Sequence, residues 1–153
     1  MTESSRKLIY IDVCALCRPF DDQSLLRIKL ETDAVNLILL KVKEGLYRMA
    51  VSPVHLKEIE SIKDEVERIH LTILLNKYGW SQLDINIKKV RNRAERLVSL
   101  GFGIADAAHA AFAEELNAEF ISCDKKLIKK CSAYIKAIRC VNPLNFCEME
   151  ALQ

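Results

Sequence analysis

The sequence predicts an α/β domain in which a parallel sheet carries helices on both faces, and three observations predict it. Short apolar runs alternate with longer amphipathic segments, the mark of strand–helix–strand units. Two of those runs, LIYI at 8–11 and the one within AEFISCD at 118–124, lead into an aspartate, Asp12 and Asp124. The chain has 153 residues, half of them hydrophobic, which suffices for one core of this kind.

The elements follow in order. LIYI is the first strand. Asp21 and Asp22 stand where an N-cap would, ahead of a helix over 23–45. In it Leu26, Leu30, Val35, Ile38 and Val42 recur at helical spacing, and Gly45 provides the stop. YRMAV (47–51) is a second strand, followed by Ser52-Pro53 as N-cap and first helical residue. Residues 54–77 read as two helices joined near Lys63-Asp64, with Gly79 and Trp80 as punctuation. SQLDI (81–85) is ambiguous, a short strand being one of its readings. NIKKVRNRAERLVSLGFG (86–103) is a charged amphipathic helix ended by Gly101 and Gly103, and IADAAHAAFAEELN (104–117) is Ala-rich and helix-prone. After AEFISCD come a short helix from Lys125 to Cys131, a strand YIKAIRCV (134–141) and a closing helix NPLNFCEMEAL (142–152). No repeat, low-complexity tract or linker divides the chain, so residues 1–153 are expected to form a single domain.

Composition excludes several classes. Lys plus Arg number 23 against 21 Asp plus Glu, a net charge of +2, which rules out a strongly basic nucleic-acid coat but allows a local basic patch. No window approaches the ~18 consecutive apolar residues of a membrane span, since AVNLILLKVK is broken by Lys41 and Lys43. The apolar run after the polar MTESSRKL is too short for a signal peptide. The protein is therefore expected to be soluble and cytoplasmic, with no membrane partner and with reduced cysteines. Cys14-x-x-Cys17 looks like a zinc or redox half-site, but Cys123, Cys131, Cys140 and Cys147 supply no matching pair, so small buried thiols beside a core strand are favoured. His55, His70 and His109 are too few and too scattered for a histidine zinc site.

The carboxylates carry the chemistry. An ionised Asp at the end of a buried strand is costly unless paired, hydrogen-bonded or bound to a metal. Ligands of open α/β sheets bind beyond the carboxyl ends of the strands, so Asp12 and Asp124 are predicted to face one crevice. Asp106, near the start of the Ala-rich helix, and Glu58, one turn into the helix after YRMAV, begin at the same sheet edge. Clustered carboxylates repel, and a hard divalent cation such as Mg2+ or Mn2+ would remove the conflict. Two such ions, about 3.5–4 Å apart, would clamp the attacking and leaving oxygens of a phosphodiester. The competing reading is structural: acids at strand ends and in first helical turns also cap helices and suit the helix dipole.

These residues resemble the PIN-domain family of nucleases, which includes the VapC toxins of bacterial toxin–antitoxin systems. YIDVCALC looks like the family's first strand with its leading acid, Asp12, and VSPVHLKEIE like the segment carrying its glutamate, Glu58. GIADAAHAAFAEELNAEFISCDKKL is similar to the Asp-Ala-x-His-x-Ala helix and the Ser/Thr-x-Asp strand end, giving Asp106, Ser122 and Asp124. VNPLNF resembles the common ending. CRPFDDQSLLRIKLE resembles a subgroup with Arg-Pro-Phe-Asp-Asp-Gln after the first strand, where Asp22 and Glu31 either add to the site or brace the first helix; bracing is favoured, with Arg27 and Glu31 pairing along the helix.

The resemblance implies a three-layer α/β/α sandwich with a central parallel sheet. It implies RNA as substrate and cleavage dependent on Mg2+ or Mn2+, with Asp12, Glu58, Asp106 and Asp124 as metal ligands and Ser122 orienting Asp124 or the attacking water. A homodimer and a small antitoxin protein are the implied partners. One departure stands out: Cys14 occupies the place, two residues after the first acid, where the family often has Ser, Thr or Asn.

Other polar groups have two readings each. His109 is read as a satisfied core histidine ahead of a group that hydrogen-bonds a carboxylate of the site. Arg18 either neutralises a phosphate or pairs with Asp21 or Asp22. Lys125 and Lys126, with Lys129 and Lys130, are the better phosphate contacts, ahead of the basic helix KKVRNRAER, which is either a solvated face or an RNA-backbone surface. Tyr10, Phe20, Tyr47, Trp80, Phe102, Phe112 and Phe120 read as core or dimer contacts. The alternatives to a ribonuclease are a catalytically weak domain that binds RNA or protein, and a structure-specific DNA nuclease.

Overall fold

The segment Lys7–Ile11, β1, has both of its faces buried: Ile9 and Ile11 enter one apolar cluster and Tyr10 the other. A strand covered on both sides belongs at the centre of a sheet. β1 does sit there, in the computed structural model of the chain, which describes residues 6–81 and 84–153. Tyr47–Ala50 (β2) and Glu119–Ile121 (β4) pair with it on either side, and Gly79–Trp80 (β3) and Cys140–Val141 (β5) form the edges, all parallel, in the order β3-β2-β1-β4-β5.

Eight α-helices are described: α1 Val13–Leu16, α2 Leu26–Lys43, α3 Pro53–Glu60, α4 Glu65–Tyr78, α5 Ile87–Ser99, α6 Ile104–Glu115, α7 Lys125–Tyr134 and α8 Pro143–Met149. The chain runs outward from β1 to β3, then returns to β4 on the other side of β1. Right-handed crossovers that travel in opposite directions place their helices on opposite faces. Accordingly α2 and α4 cover the face of Ile9, Ile11 and Met49, and α5, α6 and α7 cover that of Tyr10, Ala50 and Phe120. The result is the three-layer α/β/α sandwich. Among the described residues no helix is long and apolar enough to cross a membrane.

Several elements differ from expectation. The first long helix begins at Leu26, not at an Asp21 or Asp22 cap; Asp22 instead closes a local turn on Ser24, accepting from its N–H (3.0 Å) and hydroxyl (2.7 Å). Val13–Leu16 and the 3-10 turn Arg18–Phe20 form between β1 and that helix, where no helix was expected. Gly79-Trp80 is a strand, because Val51 N–H reaches the Trp80 carbonyl (2.9 Å) and extends the β2 ladder. Of SQLDI, Ser81, Asp84 and Ile85 are not in a strand, and 82–83 lie outside the described residues. The strand expected over 134–141 shrinks to Cys140–Val141, because α7 takes Tyr134 and 135–139 bend before the pairing with β4 begins. The junction at Lys63-Asp64 is as expected, with Asp64 capping α4 through the Glu67 N–H (2.9 Å).

Two glycines are structural requirements. Gly45 ends α2 with φ +85°, which lets Leu46 N–H reach back to the Lys41 carbonyl (2.9 Å). At Gly79 a Cβ would run into the Val51 side chain and the Leu75 carbonyl oxygen, so α4 and β3 meet too closely for any side chain. Gly79→Ala is expected to destabilise by about 1–3 kcal/mol, read as a melting temperature lower by about 2–4 °C per kcal/mol in thermal denaturation. An unchanged melting curve would mean that this approach is not tight.

Candidate active site

The sheet reverses its strand order between β1 and β4, and a crevice opens beyond the carboxyl ends of strands at such a switch. Asp12 stands there. Its N–H carries the β1–β4 ladder one step further, to the Ile121 carbonyl (3.1 Å). Its side chain turns back to cap α1, Oδ1 accepting the Ala15 N–H (3.0 Å) and the Cys14 thiol (3.1 Å). Asp12 is only 3% exposed, and desolvation pushes its carboxyl above the ordinary range against the opposing hydrogen bonds of Ser122 and Cys14.

Across the switch, Ser122 is buried and its Oγ accepts the Asp124 N–H (3.0 Å). Asp124 caps α7, Oδ1 taking the N–H groups of Lys126 (3.0 Å) and Leu127 (3.1 Å). Asp106, in the first turn of α6, is pushed up by desolvation and then by the charges of Asp124 and Glu58. The structure thus brings Asp106 into the field of two of the other acids.

Glu58 is held from below. His109 Nε2 contacts Glu58 Oε1, and this hydrogen bond is the main cause of a Glu58 carboxyl below its usual range. His109 Nδ1 lies 2.5 Å from the Tyr10 hydroxyl, which lies 2.7 Å from Ser52 Oγ. His55 Nε2 donates to the Ile11 carbonyl (2.6 Å), so its Nδ1 is the acceptor for the Ser52 N–H (3.1 Å). Burial drives the His55 pKa down to about 3, which keeps this ring neutral. The two readings of His109 therefore both hold: it is a satisfied core histidine, and it bonds a carboxylate at the crevice.

The donor chemistry fits a hard cation. Glu58 and Asp124 place these contacts on a single carboxylate oxygen, Oε1 and Oδ1, so the second oxygen of each need not serve the fold, whereas Asp12 is engaged by Ser122 as well as through Oδ1. No three His, Cys, Asp or Glu side chains among the described residues stand close enough to enclose an ion alone. Magnesium does not require them to, since it keeps several waters and takes one or two carboxylates.

The other candidates fall into place around this crevice. Arg18 pairs with Asp21 (2.9 Å) and contacts Glu31 (3.2 Å), not Asp22. Lys125 and Lys126 are exposed directly after Asp124, whereas Lys130 donates to the Gly101 carbonyl (2.6 Å). The basic helix is tied in part to α6, by Arg93–Glu114 (2.7 Å) and Lys89–Glu115 (3.3 Å). Cys14 and Cys17 are not the buried thiols expected: Cys14 is exposed at the crevice and Cys17 half-buried. Of the aromatics read as core or dimer contacts, Tyr10, Tyr47, Phe102, Phe112 and Phe120 are in the core, Phe20 is exposed and Trp80 half-buried, its ring lying under Arg48 at 4.6 Å. Sequence reasoning missed Tyr10, Ser52 and His55 as polar supports; the signal was a Tyr and a Ser-x-x-His spacing inside otherwise apolar elements.

Two substitutions should move stability in opposite directions. Because the Asp12 pKa is raised on folding, its charge costs stability fully above the folded pKa and not at all below the unfolded value. Asp12→Asn keeps a capping oxygen and removes the charge, so in EDTA at neutral pH it should melt higher, by about 2–4 °C for each kcal/mol gained, with the gap closing as pH falls. Tyr10→Phe leaves His109 Nδ1 and Ser52 Oγ without this partner and should cost about 1–3 kcal/mol in urea unfolding. Equal stability of either variant and wild type would contradict these assignments.

Comparison with known proteins agrees with the architecture. The PIN domain family model matches residues 9–132. A search of the curated proteins returns no sequence match. Among solved structures, FitAcB from Neisseria gonorrhoeae aligns with a TM-score of 0.53 at 14% identity, covering 89% of this chain and 98% of that one, a likeness of fold. A five-stranded parallel sheet with an acid at the carboxyl end of its central strand, and a family match over that span, make this chain a member of the PIN domain family.

Proposed function

We propose that the chain is a ribonuclease that hydrolyses RNA phosphodiester bonds with Mg2+ or Mn2+, and that Asp12, Glu58, Asp106 and Asp124 are its metal ligands. PIN domains are generally nucleases, which supports this reaction class. The observation that carries the reading is the placement of four acids at one sheet edge, Asp12 directly after β1, Asp124 shortly after β4, Glu58 in the second turn of α3 and Asp106 in the first turn of α6. Desolvation and neighbouring acids push Asp106 up and desolvation pushes Asp12 up, so a cation there would offset these charges.

A bound divalent ion would supply charge stabilisation at the phosphoryl group and a more acidic attacking water. The chain's own groups do the rest. His109 fixes the orientation of Glu58. Ser122, bonded to the Asp124 N–H, holds the turn that presents Asp124. Lys125 and Lys126, exposed beside Asp124, are placed to meet backbone phosphates. The Cys14 thiol takes the place of a hydroxyl or amide as the donor to Asp12. The Arg-Pro-Phe-Asp-Asp-Gln segment belongs to this reading as the mark of a subgroup, with Glu31 in the bracing role.

The partners in this proposal are a second copy of the chain and a small antitoxin protein, the chain then being the toxin of the pair. Exposed Leu56, Val66, Ile69 and Ile73 on α3 and α4 support a protein contact at that surface. The alternative is a catalytically weak domain that binds RNA or a protein without turnover.

Cleavage of a mixed single-stranded RNA pool separates the two. With Mn2+ or Mg2+ the wild type should cut and EDTA should stop it, while Asp12→Asn and Asp106→Asn should each lose at least about 10²-fold in rate. Binding without metal-dependent cutting by the wild type would favour the alternative.

A further inference from the structure

The segment that follows β1 leads into a buried ion cluster at the start of α2. Glu31 of α2 is 3% exposed, and two guanidinium groups close on it: Arg18 Nε at 3.2 Å and Arg27 Nε at 3.3 Å. Arg18 is fixed in turn by Asp21 (2.9 Å), while its carbonyl accepts from Thr32 Oγ1 (3.0 Å) and Gln23 Nε2 (2.8 Å). Arg27 is fixed at a second point, because its Nη2 donates to the carbonyl of Cys123 (2.8 Å). Cys123 lies between Ser122 and Asp124, so this guanidinium is fastened to the turn that presents Asp124.

Three features set Arg27 apart from a surface arginine. Its side chain remains 49% exposed although one hydrogen bond and one ion-pair contact restrain it, so part of the fork faces solvent while its direction is constrained. A cation in the first turn of an 18-residue helix opposes the helix dipole, and α2 has neither a side-chain cap nor an acid there to compensate. The start of α2 also exposes Leu25, Leu26 and Leu30. Local choices that disfavour a helix end, next to a crevice of carboxylates, mark a group kept for what it binds.

We propose that Arg27 binds a phosphate of the RNA backbone at the rim of the crevice, with Glu31 and Arg18 as the residues that position it; this rests on the ribonuclease reading. A planar guanidinium offers paired N–H donors that match two phosphate oxygens. Arg18, Arg27, Asp21 and Glu31 together carry no net charge, so the contact depends on where the fork points and not on a positive patch. Lysine, as a point charge, would not reproduce it.

The test is binding of a labelled single-stranded RNA by fluorescence anisotropy in EDTA across several salt concentrations, with cleavage kinetics in Mn2+ alongside. Arg27→Gln should weaken binding on the order of tenfold and lower the slope of log affinity against log salt by about one, and should raise KM more than it lowers kcat. Arg27→Lys should recover the slope but not the affinity. Lys29→Gln removes the same charge from the same helix, where it is paired with Asp33, and should bind as wild type.

Arg27→Gln with wild-type affinity and KM would overturn the proposal while metal-dependent cutting leaves the nuclease reading standing. So would an equal loss in Lys29→Gln, or a changed self-association in sedimentation with RNA binding intact, which would assign Arg27 to a protein contact. A wild type that neither cuts nor binds RNA would remove the nuclease reading itself, and this proposal with it.

Discussion

A single buried hydroxyl ties the three segments that carry this site. Tyr10 lies in the central strand, its oxygen meeting Ser52 at the start of α3 and His109 on α6. Leaving any of these groups unpaired in a fully buried position would cost about as much as a hydrogen bond and its desolvation together. Strand, helix α3 and helix α6 are therefore held at one spacing, and Glu58 and Asp106, which ride on those helices, are held with them. His55 adds a second tie, since its Nε2 must donate to the Ile11 carbonyl one residue before Asp12. The polar interior is thus arranged around the residue where the strand ends.

The same network separates charge by depth. His55, driven to a pKa of about 3 by burial, stays neutral inside, and burial likewise pushes the Tyr10 hydroxyl up, so neither ionises near neutrality. Charge is instead confined to the crevice, where the environments differ. His109 stabilises the Glu58 anion, whereas Asp12 and Asp106 are held in settings that disfavour theirs. A crevice of this kind is under electrostatic strain that the rest of the fold must outweigh. The buried clusters on both faces of the sheet, from Ile9 and Ile38 on one side to Phe120 and Leu97 on the other, supply that margin.

Much of this was legible in the sequence. The positions of Asp12 and Asp124 followed from apolar runs that lead into an acid, and those of Asp106 and Glu58 from their place in first or second helical turns. What was not legible has physical reasons. A two-residue strand such as Gly79-Trp80 has no periodicity to detect; it exists because β2 offers it a ladder and α4 leaves no room for a side chain. The start of α2 was misplaced because Asp21 and Asp22, ideal caps by type, are taken up by Arg18 and Ser24. The supports Tyr10 and His55 were hidden because a residue that is apolar by company and polar by function looks like core until its partners are seen.

The sequence posed a choice between acids that cap helices and acids that bind a ligand, and the geometry leaves room for both. Asp12 caps α1 and Asp124 caps α7, each with one oxygen, and Glu58 engages His109 with one oxygen. A carboxylate has two, so a structural bond on one oxygen need not exclude a ligand on the other. Capping fixes the side-chain torsions and leaves the other oxygen in a set direction, with the entropy of ordering already spent on folding. An asparagine could take over the cap and a glutamine the His109 contact, yet neither could present a second anionic oxygen. Helix capping alone does not call for an acid, since serine or asparagine serves equally well, so under the proposed nuclease reading it is the ligand role that requires one.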